Sequence, residues 1–229
     1  MKRIGLIGGL SWESTGSYYS KFHELTSERA APWVQPRLII DSLDFSEIVA
    51  LQRLGDWDAT GEILADSARR LQAAGATVLG IGANTMHLNF AQVAGAVDIP
   101  VLDIRDAVVS QVTAMGASSV SLLGTKYLLD GDFYSGHLRE RGLTVVKPTS
   151  QEVEDLQSII FNELTRGVVT ESSTARFMEI AAHCRERGGD VVALCCTEFA
   201  MLVSARSASW PFVESTAAHV RALLDYDGG

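Results

Sequence analysis

Short apolar runs alternate along this chain with longer segments whose apolar residues recur at helical spacing. An apolar run bounded by turn residues indicates a strand buried on both faces, as in a parallel sheet, whereas apolar residues three or four positions apart indicate a helix packed on one side. The runs predict strands at 2–7, 36–42, 76–82, 99–102, 118–123, 144–147 and 190–195, with a short one at 210–213. The spaced segments predict helices at 13–28, 45–53, 57–74, 104–115, 130–141, 151–165, 171–187 and 214–225.

The alternation of strands and helices predicts an α/β fold whose parallel sheets are flanked by helices. In open parallel sheets, ligands bind beyond the carboxyl ends of the strands. We therefore expect the chemistry of this protein in the turns that follow the predicted strands. These turns are Gly8-Gly9, Ala83-Asn84-Thr85, Gly124-Thr125 and Cys196-Thr197-Glu198.

The second half of the chain repeats landmarks of the first half in the same order. Aligning the segments 75–87 and 189–199 by their turns places Cys196 opposite Ala83, an offset of 113 positions. Three more pairs follow at offsets between 113 and 116: Ile4–Gly9 with Val120–Thr125, Tyr18-Tyr19-Ser20 with Phe133-Tyr134-Ser135, and Leu51-Gln52-Arg53 with Leu164-Thr165-Arg166. The alternative is that strand–turn–helix units resemble one another in general. The repeat predicts two pseudo-symmetric lobes, each a parallel sheet flanked by helices, with the active site in the cleft between them.

The segments Ile99–Leu102 and Trp210–Val213 are also repeat partners, and we expect them to mark the crossings between the lobes. This assigns residues 1–98 plus 214–229 to an N-terminal lobe and residues 99–213 to a C-terminal lobe.

Composition narrows the class of protein and its partners. Of the 229 residues, 47% are hydrophobic, which excludes a disordered chain. The net charge of −9 argues against a nucleic-acid partner, because phosphate binding needs a basic face. An anionic substrate would need locally placed cations or helix N-termini.

Nothing in the sequence suggests a membrane or export segment. No apolar stretch reaches the roughly 18 residues that a membrane span needs. The apolar run after Met1-Lys2-Arg3 breaks at Gly8-Gly9, so it is a first strand rather than a signal peptide. Three cysteines, two of them adjacent, form neither a disulfide framework nor a zinc spacing. We expect a cytoplasmic protein without a metal site.

Cys196 is the strongest candidate for a chemical role. It follows an apolar strand and precedes an apparent helix start, where backbone N–H groups would favour its thiolate. The alternative for any free cysteine is a small buried residue. We prefer that alternative for Cys184, on a helical face, and for Cys195, inside the strand.

The polar residues of the turns are weaker candidates. Asn84, Thr85, Thr125 and Thr197 can hold a carboxylate or simply cap the following helices. Arg53 and Arg166, as repeat partners, can clamp carboxylates or lie free on the surface. His87 can face the cleft or pack against the sheet. Dinucleotide, P-loop, nucleophile-elbow and zinc-protease motifs are absent from the sequence.

Four segments resemble the aspartate/glutamate racemase family, and the resemblance covers essentially the whole chain. They are Gly5–Thr15, with the sequence GLIGGLSWEST, then Asn84–His87, with the sequence NTMH, then Leu123–Thr125 and Cys196–Glu198. The resemblance implies two α/β lobes, a homodimer, no pyridoxal phosphate or other cofactor, and two acid/base residues on opposite faces of the substrate Cα. Such an arrangement suits inversion through a planar carbanion.

By this resemblance Cys196 is one acid/base, and its partner falls on Ala83. That partner is a cysteine in two-cysteine members and a threonine in some others, whereas the methyl group of alanine cannot move a proton. Asp103 also stands where a histidine is expected, and Leu128 where a threonine is expected. The predicted substrate-binding set is Gly9, Ser11, Gln52, Arg53, Asn84, Thr85, Thr125, Arg166, Thr197 and Glu198, with Ala83 and His87 as auxiliary positions.

Three functions follow from these residues. The first is racemase-type or epimerase-type chemistry at the Cα of aspartate, glutamate or a related carboxylate. Here Cys196 is the only thiol base, and a water, His87 or Thr85 serves the other face. The second is a one-sided decarboxylase or lyase in which Cys196 protonates an enolate-like intermediate. The third is a catalytically weak protein that only binds carboxylates.

Overall fold

A computed structural model of the chain describes residues 2–31, 33–204 and 210–227. The chain divides into two compact units, Met1–Ala107 with Thr216–Gly229, and Val108–Ser215. Within the described residues, each unit holds a sheet of four parallel strands covered by helices. No helix of this described part is both long and apolar enough to cross a membrane.

The first unit is built on a sheet with the strand order β2-β1-β3-β4. Its elements, in chain order, are β1 (Ile4–Gly8), α1 (Trp12–Ser27), β2 (Leu38–Ser42), α2 (Phe45–Leu54), α3 (Trp57–Ala73), β3 (Val78–Ile81), a 3-10 helix (Thr85–Asn89), α4 (Phe90–Ala94), β4 (Val101–Leu102) and the start of α5 (Ile104–Ala114).

The second unit has the equivalent strand order, β6-β5-β7-β8. Its elements after α5 are β5 (Ser119–Leu123), α6 (Lys126–Asp130), α7 (Ser135–Glu140), β6 (Thr144–Val146), α8 (Ser150–Asn162), a 3-10 helix (Leu164–Arg166), α9 (Glu171–Glu186), β7 (Val191–Leu194), α10 (Phe199–Ser204) and β8 (Phe212–Glu214). The last helix, α11 (Ser215–Asp225), belongs to the first unit from Thr216 onward.

Helices cover both faces of the first sheet, because side chains of β1 alternate between the two faces. On one face, Ile4 and Leu6 of β1 contact Tyr18 and Phe22 of α1, together with α11. On the other face, a second apolar cluster joins β1 and β3 to α2 and α3. The predicted helical stripe of α3, Leu64, Ala68 and Leu71, is fully buried in that second cluster. Burying one such leucine contributes about 2 kcal/mol.

The register of the sheets shows that the two units are copies of one arrangement. Ile4 of β1 pairs with Val78 of β3, and Val120 of β5 pairs with Val191 of β7. These are the positions that the sequence alignment matches, at offsets of 116 and 113. The predicted α/β fold with a duplicated sheet is therefore confirmed.

The boundary between the units differs from the predicted one. The sequence assigned residues 99–107 to the C-terminal lobe, but they lie in the first unit. The cause is β4, whose residues Val101 and Leu102 pair with Leu79 and Gly80 of β3. The first unit thus needs this short strand to complete its sheet.

Local turn residues explain the differences between the predicted and observed helices. The predicted helix at 130–141 is shortened to α7, because α6 ends at Asp130 and the chain becomes extended at Gly131. The Asp132 carboxylate then accepts a hydrogen bond from the Ser135 hydroxyl, at 2.7 Å, which stabilises the new start. Residues 85–94, for which no separate helix was predicted, form two short helical turns.

We predict opposite effects for the same substitution at two glycines near the start of the chain. Gly9 has a φ of +70°, and a Cβ there would overlap the backbone of Leu43. Gly9→Ala should therefore lower the free energy of unfolding by about 3 kcal/mol or more. Gly16, on the exposed face of α1, has open space around it, so Gly16→Ala should raise that free energy by about 1 kcal/mol. Urea unfolding of both variants measures the difference. Equal midpoints would show that the Gly8-Gly9 turn is not constrained as described.

Candidate functional site

The turn after β1 carries two predicted site residues and an unusual backbone conformation. Gly9 donates its backbone N–H to the Thr15 Oγ1, at 2.8 Å. Ser11 has φ 132° and ψ 148°, and its hydroxyl caps α1 by accepting the N–H of Ser14 at 3.0 Å. L-residues rarely adopt such a positive φ, so the surrounding contacts hold Ser11 in a strained geometry. Strain of this kind is concentrated at functional turns.

The turn after β3 places Ala83 and Asn84 at the carboxyl end of the first sheet. Gly82 donates its N–H to the carbonyl of Ile7, at 2.8 Å, which ties the turn to the end of β1. Ala83 and Thr85 are half-buried, and Asn84 is buried. Thr85 begins the short 3-10 helix that leads to His87.

His87 is a buried residue whose two ring nitrogens are both occupied. Its Nδ1 lies 2.8 Å from the carbonyl oxygen of Ala83, and its Nε2 accepts the N–H of Ile104 at 3.1 Å. Burial lowers the pKa of His87 to about 4, against smaller opposing effects such as the nearby Asp103 carboxylate. The imidazole is therefore neutral at pH 7, and neither nitrogen is free to exchange a proton with a substrate.

Asp103, which follows β4, is part of a buried ion pair. Its Oδ2 lies 2.6 Å from Nη2 of Arg105, and the guanidinium makes further hydrogen bonds to both carboxylate oxygens. Burial raises the pKa of Asp103, but the Arg105 hydrogen bonds and the other nearby groups together outweigh burial and lower it. The departure at this position from the expected histidine therefore places a fixed negative charge in the first unit.

The turn after β7 is the structural counterpart of the turn after β3. Cys195 donates its N–H to the carbonyl of Leu123 at 2.8 Å, as Gly82 does to Ile7. Leu194 pairs with Leu123 as Ile81 pairs with Ile7. Cys196 lies two residues after Leu194, and Ala83 lies two residues after Ile81. Backbone geometry thus makes them equivalent, as the sequence alignment predicts.

Cys196 is paired with a carboxylate of its own unit. The side chain is 8% exposed, and its Sγ donates to Oε2 of Glu198 at 3.0 Å. The Thr197 hydroxyl donates to the same oxygen at 2.7 Å, which orients the carboxylate. Sequence reasoning assigned Glu198 to the substrate, whereas its observed partners are the thiol and Thr197. The Cys-x-Glu spacing was the only signal of this pair.

The resting state of Cys196 differs from the expected thiolate. Burial raises the pKa of the thiol well above its ordinary value, and the charge of Glu198 raises it further. The hydrogen bond from the backbone N–H of Glu198 acts in the opposite direction but is outweighed. The helix that follows, α10, has only six residues. The thiol is therefore protonated at neutral pH.

The other two cysteines are buried in the second unit. Cys195 Sγ lies 3.3 Å from the Tyr134 hydroxyl, and burial raises its pKa to about 12. Cys184 is fully buried on α9, where Nη2 of Arg187 contacts its sulfur at 3.1 Å. Both environments fit the packing role that the sequence suggested for them.

Thr125 follows β5 at the position equivalent to Gly9. It begins α6 without using its side chain as a cap. Its Oγ1 is buried and has no hydrogen-bond partner among the described residues. A buried hydroxyl without a partner costs about 1–3 kcal/mol, so a ligand atom that reaches it would be stabilised.

Arg53 and Arg166 occupy similar positions in the two units. Arg53 lies in the last turn of α2, which ends at Gly55 with φ 71°. Arg166 ends the 3-10 helix Leu164–Arg166, which is followed by Gly167 with φ 69°. Both side chains are exposed, and neither makes a hydrogen bond or ion pair with a described residue. Gln52, next to Arg53, is half-buried.

Comparison with known proteins agrees with this arrangement. The family model described as Asp/Glu/Hydantoin racemase matches residues 7–223. The chain is similar to the crystal structure of a candidate Asp/Glu racemase from Yersinia pestis, with 35% identity over 99% of each chain and a TM-score of 0.92. It is also similar to an aspartate racemase homologue from Pyrococcus horikoshii OT3, with 36% identity over 98% of each chain and a TM-score of 0.89.

More distant structures share the fold alone. Glutamate racemase from Francisella tularensis, solved in complex with D-glutamate, has 15% identity, a TM-score of 0.68, and coverage of 97% of this chain and 79% of its own. The repeated sheet, the equivalent turns and a family match over nearly the whole chain lead to one conclusion. This protein belongs to the Asp/Glu/Hydantoin racemase family.

Proposed function

We propose that this protein is a cofactor-independent racemase or epimerase that acts at the Cα of aspartate, glutamate or a related carboxylate. Cys196 is its single thiol acid/base. The observation that carries the proposal is the hydrogen bond of 3.0 Å between the Cys196 thiol and the Glu198 carboxylate, in the turn after β7 of a racemase-family chain.

The thiol–carboxylate pair suggests how the reaction begins. The Cys196 proton passes to Oε2 of Glu198, and Thr197 keeps that oxygen in place. The thiolate then takes the proton from the substrate Cα, so the C–H bond breaks, an S–H bond forms, and the electron pair delocalises into the substrate carboxylate. General acid–base catalysis of this kind contributes about 10²–10⁴-fold.

The second half of the reaction decides between exchange and inversion. Return of a proton from Cys196 restores the same enantiomer. Inversion needs a donor on the opposite face, which the family resemblance assigns to the position of Ala83. Alanine has only a methyl group, and neighbouring His87 has no free nitrogen. We assign that step to a bound water, which protonates the carbanion. The hydroxide that remains takes a proton from solvent, and Glu198 releases its proton to solvent, so both groups return to their resting states.

Substrate binding in this proposal uses the remaining predicted residues. Arg53 and Arg166 are exposed cations without described partners, so each can form charge-assisted hydrogen bonds with a carboxylate. The buried hydroxyl of Thr125 offers a further polar contact. Gly9, Ser11, Asn84 and Thr85 line the ends of β1 and β3 and complete the proposed set.

The turn at Ala83 also favours a second candidate function, a one-sided decarboxylase or lyase. In a decarboxylation, the C–C bond to a carboxylate breaks and carbon dioxide leaves with the electron pair remaining on Cα. Cys196 then gives its proton to Cα, and solvent reprotonates the sulfur. This reaction needs no acid/base opposite Cys196.

We further propose that the protein is a cytoplasmic homodimer that needs no cofactor. The family resemblance supports the dimer and the lack of a cofactor, and three cysteines without a disulfide framework support a cytoplasmic location. Light scattering of the purified protein measures the oligomer.

We predict that Glu198→Gln changes two properties of Cys196 in opposite directions. Loss of the negative charge should speed alkylation of Cys196 by iodoacetamide at pH 8 several-fold, because the thiol pKa falls. Loss of the proton acceptor should slow Cα deuterium exchange about 100-fold. Peptide mass spectrometry identifies the alkylated cysteine. Cys196→Ser should abolish exchange, whereas Cys184→Ala should leave it intact. Slower alkylation together with unchanged exchange would contradict the pairing.

We predict that Ala83→Cys creates or increases inversion. In the wild type, one enantiomer should exchange its Cα hydrogen faster than it inverts, because the thiol returns a solvent-derived proton to the same face. A thiol at position 83 restores a donor opposite Cys196, and the ratio of inversion to exchange should rise about tenfold or more. Chiral chromatography and mass spectrometry of each enantiomer in deuterated water give the ratio. Ala83→Ser is the matched control. A folded Ala83→Cys protein with two titratable turn thiols and no gain would show that the turns do not face a common substrate.

We predict that Arg53→Ala and Arg166→Ala each raise KM for an acidic substrate by about tenfold, the loss expected for one charged hydrogen bond. Lysine at either position should recover only part of the affinity, because it cannot bind a carboxylate bidentately. The control is Arg37→Ala, another exposed arginine of the first unit. Wild-type KM and kcat in both alanine variants would leave the turn N–H groups as the only carboxylate ligands.

A further inference from the structure

Two buried histidines of the first unit contact the same stretch of backbone. His219 of α11 lies 2.9 Å from the carbonyl of Leu102 through Nε2, and its Nδ1 lies 2.8 Å from the hydroxyl of Tyr18. His87 accepts the N–H of Ile104. The rings are 5.6 Å apart and meet at an interplanar angle of 72°. The end of β4 and the start of α5 are therefore fixed by imidazole contacts at residues 102 and 104.

The partners of His87 determine its tautomer without ambiguity. A backbone carbonyl can only accept, and a backbone N–H can only donate. Nδ1 faces the Ala83 carbonyl, so it carries the proton, and Nε2 faces the Ile104 N–H, so it does not. A second proton on Nε2 would oppose the Ile104 N–H and break that link. In neutral His219, Nε2 faces the Leu102 carbonyl and carries the proton, so Nδ1 accepts from the Tyr18 hydroxyl.

We call the contacts of His87 and His219 with the backbone of residues 102 and 104 the histidine clamp. The Cys196 turn, which is the repeat partner of the Ala83 turn, has no equivalent of His87. The alignment that matches Ala83 with Cys196 matches His87 with Ala200, which has no polar side chain. The thiol turn instead has Glu198 as its partner. Gly80 of β3 makes room for the clamp, since a Cβ there would lie 3.1 Å from the His219 ring.

We propose that His87 is a positioning residue: it fixes the Ala83 turn to the start of α5 so that Asn84 and Thr85 are held ready for the substrate. This inference rests on the proposed function for the role of Asn84 and Thr85. His87 itself moves no proton. In this proposal the Ala83 turn is a rigid binding element, whereas the Cys196 turn carries the acid/base.

Burial keeps both rings of the clamp neutral over a wide pH range. Burial lowers the pKa of His87 to about 4 and that of His219 to about 3. The groups that face them are Tyr18 of α1, Asp103 after β4, and Arg105 of α5, whose guanidinium is paired with Asp103. In the unfolded chain, histidine titrates near pH 6.5. Folding stability from these residues is therefore complete above pH 6.5 and is lost as the pH falls toward 4.

Imidazole NMR tests the geometry without any assumption about activity. In ¹⁵N-labelled protein, His87 should be protonated on Nδ1 alone and His219 on Nε2 alone, and both should stay neutral from pH 7.5 to 5. Amide exchange at Ile104 should be slow in the wild type and in His87→Gln, whose amide offers one donor and one acceptor, and about tenfold faster in His87→Leu. An Nε2–H tautomer of His87, or unchanged exchange at Ile104 in His87→Leu, would overturn the proposal.

Steady-state kinetics then separate positioning from general stability. His87→Leu should raise KM for the acidic substrate about tenfold and change kcat much less, and His87→Gln should recover most of the affinity. His23→Leu, a second imidazole removal in the same unit, should leave KM unchanged. His87→Leu with a wild-type unfolding midpoint and wild-type KM would refute positioning.

If His87→Leu does not fold, the NMR result and the KM of His87→Gln decide. A wild-type protein inactive on every acidic amino acid would refute the proposed function, whereas the tautomer and exchange measurements would still decide the clamp.

Discussion

The candidate site depends on a single backbone hydrogen bond at the end of each central strand pair. Gly82 bonds to Ile7 in the first unit, and Cys195 bonds to Leu123 in the second. Because parallel pairing fixes which residues are opposite, this bond determines where the chain leaves the sheet. The next residue in each case is the one on which the proposed chemistry depends, Ala83 or Cys196. The register of the two sheets therefore puts the methyl group of Ala83 and the thiol of Cys196 at equivalent positions in their units.

Most of the fold could be predicted from the sequence, because buried parallel strands appear as uninterrupted apolar runs. All eight predicted strands are present, within about two residues at each end. The unit boundary could not be predicted, since only pairing reveals that the two-residue β4 belongs to the first sheet. The break at Gly131 depends on a local turn that helical spacing does not show.

The positions of the candidate turns could be predicted from the sequence, but the protonation state of the Cys196 thiol could not. The turns, Cys196 and its counterpart Ala83 follow from the repeat. The thiol was expected to be ionised, yet its burial and the neighbouring Glu198 keep it protonated. The direction of a side chain decides both effects, and residue spacing does not fix that direction. The same limit applies to His87, whose two contacts with backbone groups leave it no free nitrogen.

The path of the chain through the first unit affects the order in which the protein can be assembled. Val220 and Leu223 of α11 pack against Ile4 and Leu6 of β1, so one face of the first sheet is completed by the end of the chain. At ordinary rates of synthesis, roughly 10–40 s separate the two segments. The second unit, by contrast, is one continuous stretch. The first half of the chain must therefore wait, with one apolar face covered only in part by α1, for the second half to be made.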